Sequence, residues 1–342
     1  MRKIGRERTS ALMATGLLLV ACAGEAVDRP LPALGADAAG VTVSGVSSGG
    51  YMAVQFHVAH SATVGGAAVL AGGPWYCARG ELSTALDECM RGPRAEIAVD
   101  DLIARARAAA QGGGIDPVAD LAADRVWVFH GQNDEIMDPG VTQALVDFYA
   151  EFVPTEQIEV VESVPAAHTF PTVAAGGRCD VMASPHLGAC EYDAAGELLA
   201  QLYGELDPPG SDSLSGSLEA FDQRPFRETT GSEGLADRGY VYIPQACRAG
   251  TVGCRVHIAL HGCRQGEGFV EQAFVSGAGY NEWADANAIV ILYPQVRATL
   301  SPLNPNGCWD WWGYEGPDYA LRSGAQVAAL FAMVERLAAP RD

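Results

Sequence analysis

The sequence predicts an α/β fold built on a mostly parallel sheet. Three observations carry this. Short apolar runs alternate with stretches of helical spacing along most of the chain. A G-x-S-x-G pattern, Gly45-Val46-Ser47-Ser48-Gly49, stands at one strand-to-helix boundary. Cysteine usage is that of a disulfide-stapled exported protein, with nine cysteines in 342 residues.

Residues 41–43 come first, alternating as a short strand, and 51–60 read as a helix. Residues 64–70, 126–130, 158–161, 240–243, 256–260 and 289–293 are apolar runs of strand length. Between them, 97–110, 141–152, 196–203 and 326–337 carry helical spacing. Strands that alternate with helices pair in parallel, because each crossover helix returns the chain to the same edge. Residues 207–217 are rich in Pro, Gly and Ser and form the one linker-like stretch.

Bulk properties bound the function. The chain is 49% hydrophobic with 40 glycines, which suits a sizeable core and many tight turns. Its formal charge of −20 excludes nucleic acid as a partner, since that needs a basic footprint. Residues 1–21 read as a targeting segment. Arg2, Lys3, Arg6 and Arg8 precede an apolar stretch over 11–21 that ends Leu19-Val20-Ala21-Cys22. This matches a bacterial lipobox, with Cys22 as the lipidated first residue of the mature chain. Ala21-Cys22-Ala23 also fits an ordinary secretory cleavage site, and the lipoprotein reading is preferred. Either route exports the protein, to the outer membrane or the medium. Membrane contact is expected only through the lipid. Residues 22–39 are expected to be a tether, and 40–342 a single catalytic domain acting as a monomer.

Setting Cys22 aside leaves an even eight cysteines, which allow 105 connectivities. Their spacing suggests that neighbours pair: Cys77 with Cys89, Cys179 with Cys190, Cys247 with Cys254, and Cys263 with Cys308. No C-x-x-C or H-x₃-H spacing occurs, so neither zinc nor another metal or cofactor is expected.

The chemistry starts from Ser47. A serine on a sharp strand-to-helix turn is pushed out of the backbone, and the helix behind it aims free amides at the same spot. Such a nucleophile needs a base, and the base an orienting acid. Residues 125–130 read as a strand running into Gly131-Gln132-Asn133-Asp134, which puts Asp134 at a strand's carboxyl end. Asp138, just before Pro139, competes for that role. His168, in Ala167-His168-Thr169-Phe170, follows the strand at 158–161 and is the candidate base. His57, His60 and His186 are read as surface-loop histidines, and His130 as a strand-end histidine near the site.

An oxyanion hole needs two donors. One is the amide of Ser48. The other is expected from an H-G loop after a strand that precedes the nucleophile. Here the H-G loop read for this role, His261-Gly262-Cys263 after the strand at 256–260, lies far downstream of Ser47. The parts therefore read as an α/β-hydrolase in circularly permuted order. Residues 218–342 supply the usual first half of the sheet, residues 29–206 the second, and 207–217 the joint.

With these parts in hand, the chain resembles single-domain, circularly permuted extracellular poly(3-hydroxybutyrate) depolymerases. The resemblance rests on Val43-Ser44-Gly45-Val46-Ser47-Ser48-Gly49-Gly50-Tyr51-Met52-Ala53, Ala71-Gly72-Gly73-Pro74 and Ala167-His168-Thr169-Phe170-Pro171-Thr172. It extends to Leu260-His261-Gly262-Cys263, Tyr280-Asn281-Glu282-Trp283-Ala284-Asp285, Leu292-Tyr293-Pro294-Gln295 and Asn306-Gly307-Cys308-Trp309-Asp310-Trp311. It implies Ser47 as nucleophile, Asp134 as acid, His168 as base, and the amides of Ser48 and Cys263 as oxyanion donors. It also implies the sequential disulfides and a polyester or oligomeric hydroxyalkanoate substrate. Two features depart from it: the bulkier acid loop, Gly131-Gln132-Asn133-Asp134-Glu135-Ile136, and the lipobox.

Trp309, Trp311, Trp312 and Tyr314 cluster beside Cys308. Trp309 is expected to contact substrate, because Cys263–Cys308 would tether it to the oxyanion loop. For Trp311 and Trp312 a core role fits nearly as well as a substrate role. Two other functions compete: an acetyl or feruloyl esterase on plant polysaccharide, and a binding lipoprotein without catalysis. The ordered Ser47, Asp134 and His168 set argues against the second.

Overall fold

A computed structural model describes residues 29–210 and 213–341. Cys22 and the targeting segment lie outside the described residues. The main sheet contains Val41–Val46 (β1), Val64–Leu70 (β2), Arg125–Phe129 (β3) and Ile158–Val161 (β4) from the first half of the chain. A small three-stranded sheet follows, made of Phe170–Thr172 (β5), Gly177–Arg178 (β6) and Leu187–Ala189 (β7). The second half returns to the main sheet with Ser217–Asp222 (β8), Arg238–Ile243 (β9), Arg255–Leu260 (β10) and Ile289–Tyr293 (β11).

The strand order across the main sheet is β4-β3-β2-β1-β10-β11-β9-β8. The six strands from β4 to β11 run parallel, and β9 and β8 are antiparallel at one edge. This is an α/β-hydrolase type fold, with helices on both faces of the sheet. The parallel strands are apolar because both faces are covered; β2, β10 and β11 are almost wholly buried.

The predicted elements form with boundaries shifted by a few residues. The helices are Ser48–Ala59, Val99–Gln111, Pro139–Ala150, Ala194–Tyr203 and Ala325–Ala338. Every residue of Ser48–Ala59 is buried, so this helix is the centre of one layer rather than a surface element. That corrects the surface reading of His57 and His60. His57 is sealed between Asp124 Oδ2 and the Tyr149 hydroxyl, each 3.0 Å away. His60 stacks on Phe331 at a ring separation of 4.0 Å.

The described part of the expected tether is docked rather than free. Leu31 and Leu34 are buried. The Leu34 and Ala36 amides donate to the Leu337 carbonyl at 3.0 and 3.1 Å, and the Arg336 guanidinium to the Leu31 carbonyl at 2.8 Å. The linker-like stretch enters the edge strand β8 through Asp285, which accepts from the amides of Ser215 and Gly216 at 2.7 and 3.0 Å.

All four disulfides join the expected neighbours: Cys77–Cys89, Cys179–Cys190, Cys247–Cys254 and Cys263–Cys308. Cys179–Cys190 fastens the small sheet that follows the His168 loop.

Candidate active site

Parallel strands end together, so the loops after β1, β3, β4 and β10 converge on one edge of the sheet. Ser47 follows β1 and caps the helix Ser48–Ala59, with φ 57° and ψ −120°. Only a turn fixed on all sides holds a serine there, and the surrounding glycines show how. A Cβ on Gly45 would fall 2.1 Å from the Gly49 carbonyl oxygen. One on Gly49 would meet the Leu260 and His261 carbonyls at 2.5 Å. The Ser47 amide donates to the Leu70 carbonyl at 2.8 Å, which ties the turn to β2.

Asp134 and His168 meet because the chains leaving β3 and β4 stay paired. The amides of His130, Gln132 and Asn133 donate to the carbonyls of Val161, Val164 and Ala166 at 3.0, 2.9 and 3.0 Å. At the end of this ladder His168 Nδ1 lies 2.8 Å from Asp134 Oδ2. Asp134 Oδ1 accepts from the Ile136 and Met137 amides at 2.8 and 3.0 Å. Burial alone would raise this carboxyl's pKa. The bond and charge of His168 and the two amides outweigh it, and Asp134 sits below the ordinary aspartate range. A carboxylate is an acceptor only, so the His168 proton is on Nδ1 and Nε2 is left free to accept. Asp138 serves a different purpose. Its Oδ1 accepts from the Gly140 amide at 2.7 Å and caps Pro139–Ala150.

The His261-Gly262-Cys263 loop follows β10, the neighbour of β1 in the sheet. A Cβ on Gly262 would lie 3.5 Å from Ser47 Cβ, so the loop runs directly over the Ser47 turn. His261 Nδ1 contacts the Gly262 carbonyl at 2.7 Å, and its Nε2 accepts from the Val296 amide at 3.3 Å. Burial pushes the His261 pKa down to about 4, so the ring is neutral with its proton on Nδ1. By pulling the Gly262 carbonyl inward, it turns the Cys263 amide to the opposite side. Among the described residues, neither the Ser48 nor the Cys263 amide has an acceptor.

Ser47, His168, Gly262 and Cys263 line one cleft of about 440 Å³. Its walls are mainly apolar and include Leu82, Leu86, Met182, Leu303, Trp311 and Trp312. Trp309 does not line it, which corrects the expectation that it contacts substrate. Its side chain is fully buried against His261, and its amide donates to Ser48 Oγ at 3.3 Å. Trp311 faces the cleft instead, stacked on Tyr51 at a ring separation of 4.3 Å. His186, read as a surface histidine, also lines the cleft, while His130 is buried against Thr142 at 3.0 Å. Sequence reasoning missed Gln265, whose Oε1 accepts from the Gly262 amide at 2.8 Å. Its Nε2 donates to the His186 carbonyl at 2.9 Å.

Cys263–Cys308 ties the His261-Gly262-Cys263 loop to the aromatic segment across 45 residues of sequence. In the chain-entropy account such a loop contributes about 4 kcal/mol, against about 2 for the 7-residue span of Cys247–Cys254. The latter sits at the amino end of β10, away from the site. Replacing both members of Cys263–Cys308 with alanine is therefore expected to lower kcat at least tenfold, while the same change at Cys247–Cys254 mainly lowers Tm. Parallel kinetics and melting curves check this.

The chain is 35% identical to a polyhydroxybutyrate depolymerase of Talaromyces funiculosus, over 92% of this chain and 94% of that protein. The chain belongs to the poly(3-hydroxybutyrate) depolymerase family. It is also 43% identical to a poly(3-hydroxybutyrate) depolymerase of Delftia acidovorans, over 90% of this chain. It spans 61% of that relative's length. Two solved structures agree. A PHB depolymerase complexed with an R3HB trimer superposes with a TM-score of 0.84 at 34% identity. It covers 91% of this chain and 99% of that one. The PHB depolymerase from Penicillium funiculosum gives 0.83 at 35%, with the same coverage. No family model matches the chain. PHB depolymerases are carboxylic ester hydrolases.

Proposed function

We propose that this chain is a serine esterase that hydrolyses poly(3-hydroxybutyrate) or a related short-chain polyhydroxyalkanoate. The observation that carries this is the 2.8 Å His168–Asp134 contact in the cleft that holds Ser47 at its strained turn. Ser47 Oγ attacks the ester carbonyl while His168 Nε2 takes its proton, and Asp134 stabilises the imidazolium. The Ser48 and Cys263 amides receive the oxyanion. His168 then returns the proton to the leaving hydroxyl, and water releases the acyl group from Ser47 by the same route reversed.

The walls support a polyester over a sugar ester. Trp311, Trp312 and Leu303 offer apolar area to repeating methyl-bearing units, and Leu303 is 62% exposed on the cleft wall. The strand order supports a circular permutation. Ordered β8-β9-β11-β10-β1-β2-β3-β4, the sheet starts at an antiparallel edge and puts the oxyanion loop one strand before the nucleophile. The disulfides fit an oxidising compartment, and Cys22 is proposed as the lipid-bearing residue of an exported chain. The test is release of soluble hydroxybutyrate from amorphous polymer film, with acetylated and feruloylated polysaccharide in parallel. Activity on the polysaccharides alone would overturn the substrate assignment.

A further inference from the structure

The cleft is lined by no Asp or Glu, although the chain has 42 acidic residues against 22 basic ones. Arg264 is its one charged lining side chain apart from the histidines. It directly follows Cys263 and is exposed, and no carboxylate or other partner holds its side chain among the described residues. Most other described arginines are engaged: Arg79, Arg94, Arg107 and Arg322 in ion pairs, Arg105 and Arg255 over tyrosine rings. The backbone presents Arg264 from a fixed base. Its φ is 59°, its amide donates to the Asn306 carbonyl at 2.8 Å, and the residue before it is disulfide-bonded to Cys308.

An adjoining pocket carries the opposite charge. A second pocket of about 470 Å³ shares Ile136, His168 and Met182 with the cleft and is lined by Glu135 and Asp180. Asp180 is bound by Arg178 through two hydrogen bonds of 2.9 and 2.6 Å. Glu135 is exposed and makes no ion pair among the described residues. The two adjoining pockets thus differ in charge, with the Arg264 guanidinium in the one that holds Ser47 and the Glu135 carboxylate in the other. A hydroxyalkanoate oligomer is itself asymmetric, with a neutral hydroxyl at one end and a carboxylate at the other.

We infer that Arg264 is a recognition residue for the free carboxylate of short hydroxyalkanoate chains, and that it fixes the direction in which they lie across Ser47. This role rests on the proposed function. It makes the enzyme prefer soluble acid-ended oligomers to capped ones at low ionic strength, since screening weakens an exposed pair.

The test is calorimetric binding of a hydroxybutyrate trimer, as free acid and as methyl ester, to the non-hydrolysing Ser47→Ala protein. With Arg264 present the acid is expected to bind about fivefold more tightly than the ester, the scale of an exposed ion pair. Adding Arg264→Gln is expected to bring the acid-to-ester affinity ratio to about one, while Arg264→Lys keeps part of the preference. Equal binding of acid and ester with Arg264 in place, or a preference that survives Arg264→Gln, would overturn the inference. Hydrolysis of the methyl ester by the wild-type chain is measured separately. Its absence would sink the functional reading, and the binding ratio would still decide on Arg264.

Discussion

Replacing Ser47 with alanine is expected to lower kcat on ester substrates by about 10⁶-fold and leave the fold intact. The magnitude is that of losing the nucleophile from a triad whose members act as a unit. The fold survives because the Ser47 side chain makes no capping hydrogen bond, and alanine keeps the Cβ that already occupies the turn. The packing that fixes φ at 57° belongs to Gly45, Gly49 and the Leu70 carbonyl, none of which changes. Kinetics with a soluble aryl ester, beside a circular-dichroism melt, check both parts. A variant within tenfold of wild type would mean that another group attacks the ester.

Asp134→Asn is expected to cost about 10⁴-fold in kcat. Asparagine fills the same space, yet its amide can present a donor where His168 Nδ1–H needs an acceptor, and it lacks the charge that stabilises the imidazolium. Asp138→Asn is the control. The Asp138 side chain accepts from the Gly140 amide at a helix start, and asparagine caps as well as aspartate does. Activity and Tm should therefore stay near wild type, while Asp138→Ala lowers stability by about 1 kcal/mol through the lost cap. A crippled Asp138→Asn beside an active Asp134→Asn would reverse the assignment.

Local physics decides which of these features are legible in the sequence. The parallel strands read clearly because burial on both faces leaves unbroken apolar runs, as in Ile289–Tyr293. The edge strand Ser217–Asp222 does not stand out. It is half-exposed and mixes polar and apolar residues without a regular period beside a Gly- and Ser-rich stretch. The short polar helix Tyr280–Asn287 offers too weak an apolar face to be seen. The convergence of Ser47, Asp134 and His168 on one edge of the sheet is legible because chain order and strand ends constrain it. His57 is not, since the Asp124 that pairs with it lies 67 residues away and only the folded layer shows that its helix is buried all round. The tryptophans fail for a related reason. Residues 309–314 form an irregular loop without periodicity, so nothing local tells which ring faces the cleft. Tyr51 decides it, by stacking on Trp311. Arg264 carries no sequence signature at all, and only the absence of acid from the folded cleft singles it out.

Covalent trapping puts the catalytic assignment of Ser47 to its sharpest trial. The protein is incubated with an organophosphate ester probe, digested, and mapped by mass spectrometry. One adduct is expected, on Ser47, with ester hydrolysis lost in proportion to labelling. His168→Ala should slow labelling severely, because the proton from Ser47 Oγ then has no acceptor. An adduct on any other residue, or full hydrolytic activity in a protein fully labelled at Ser47, would contradict the assignment.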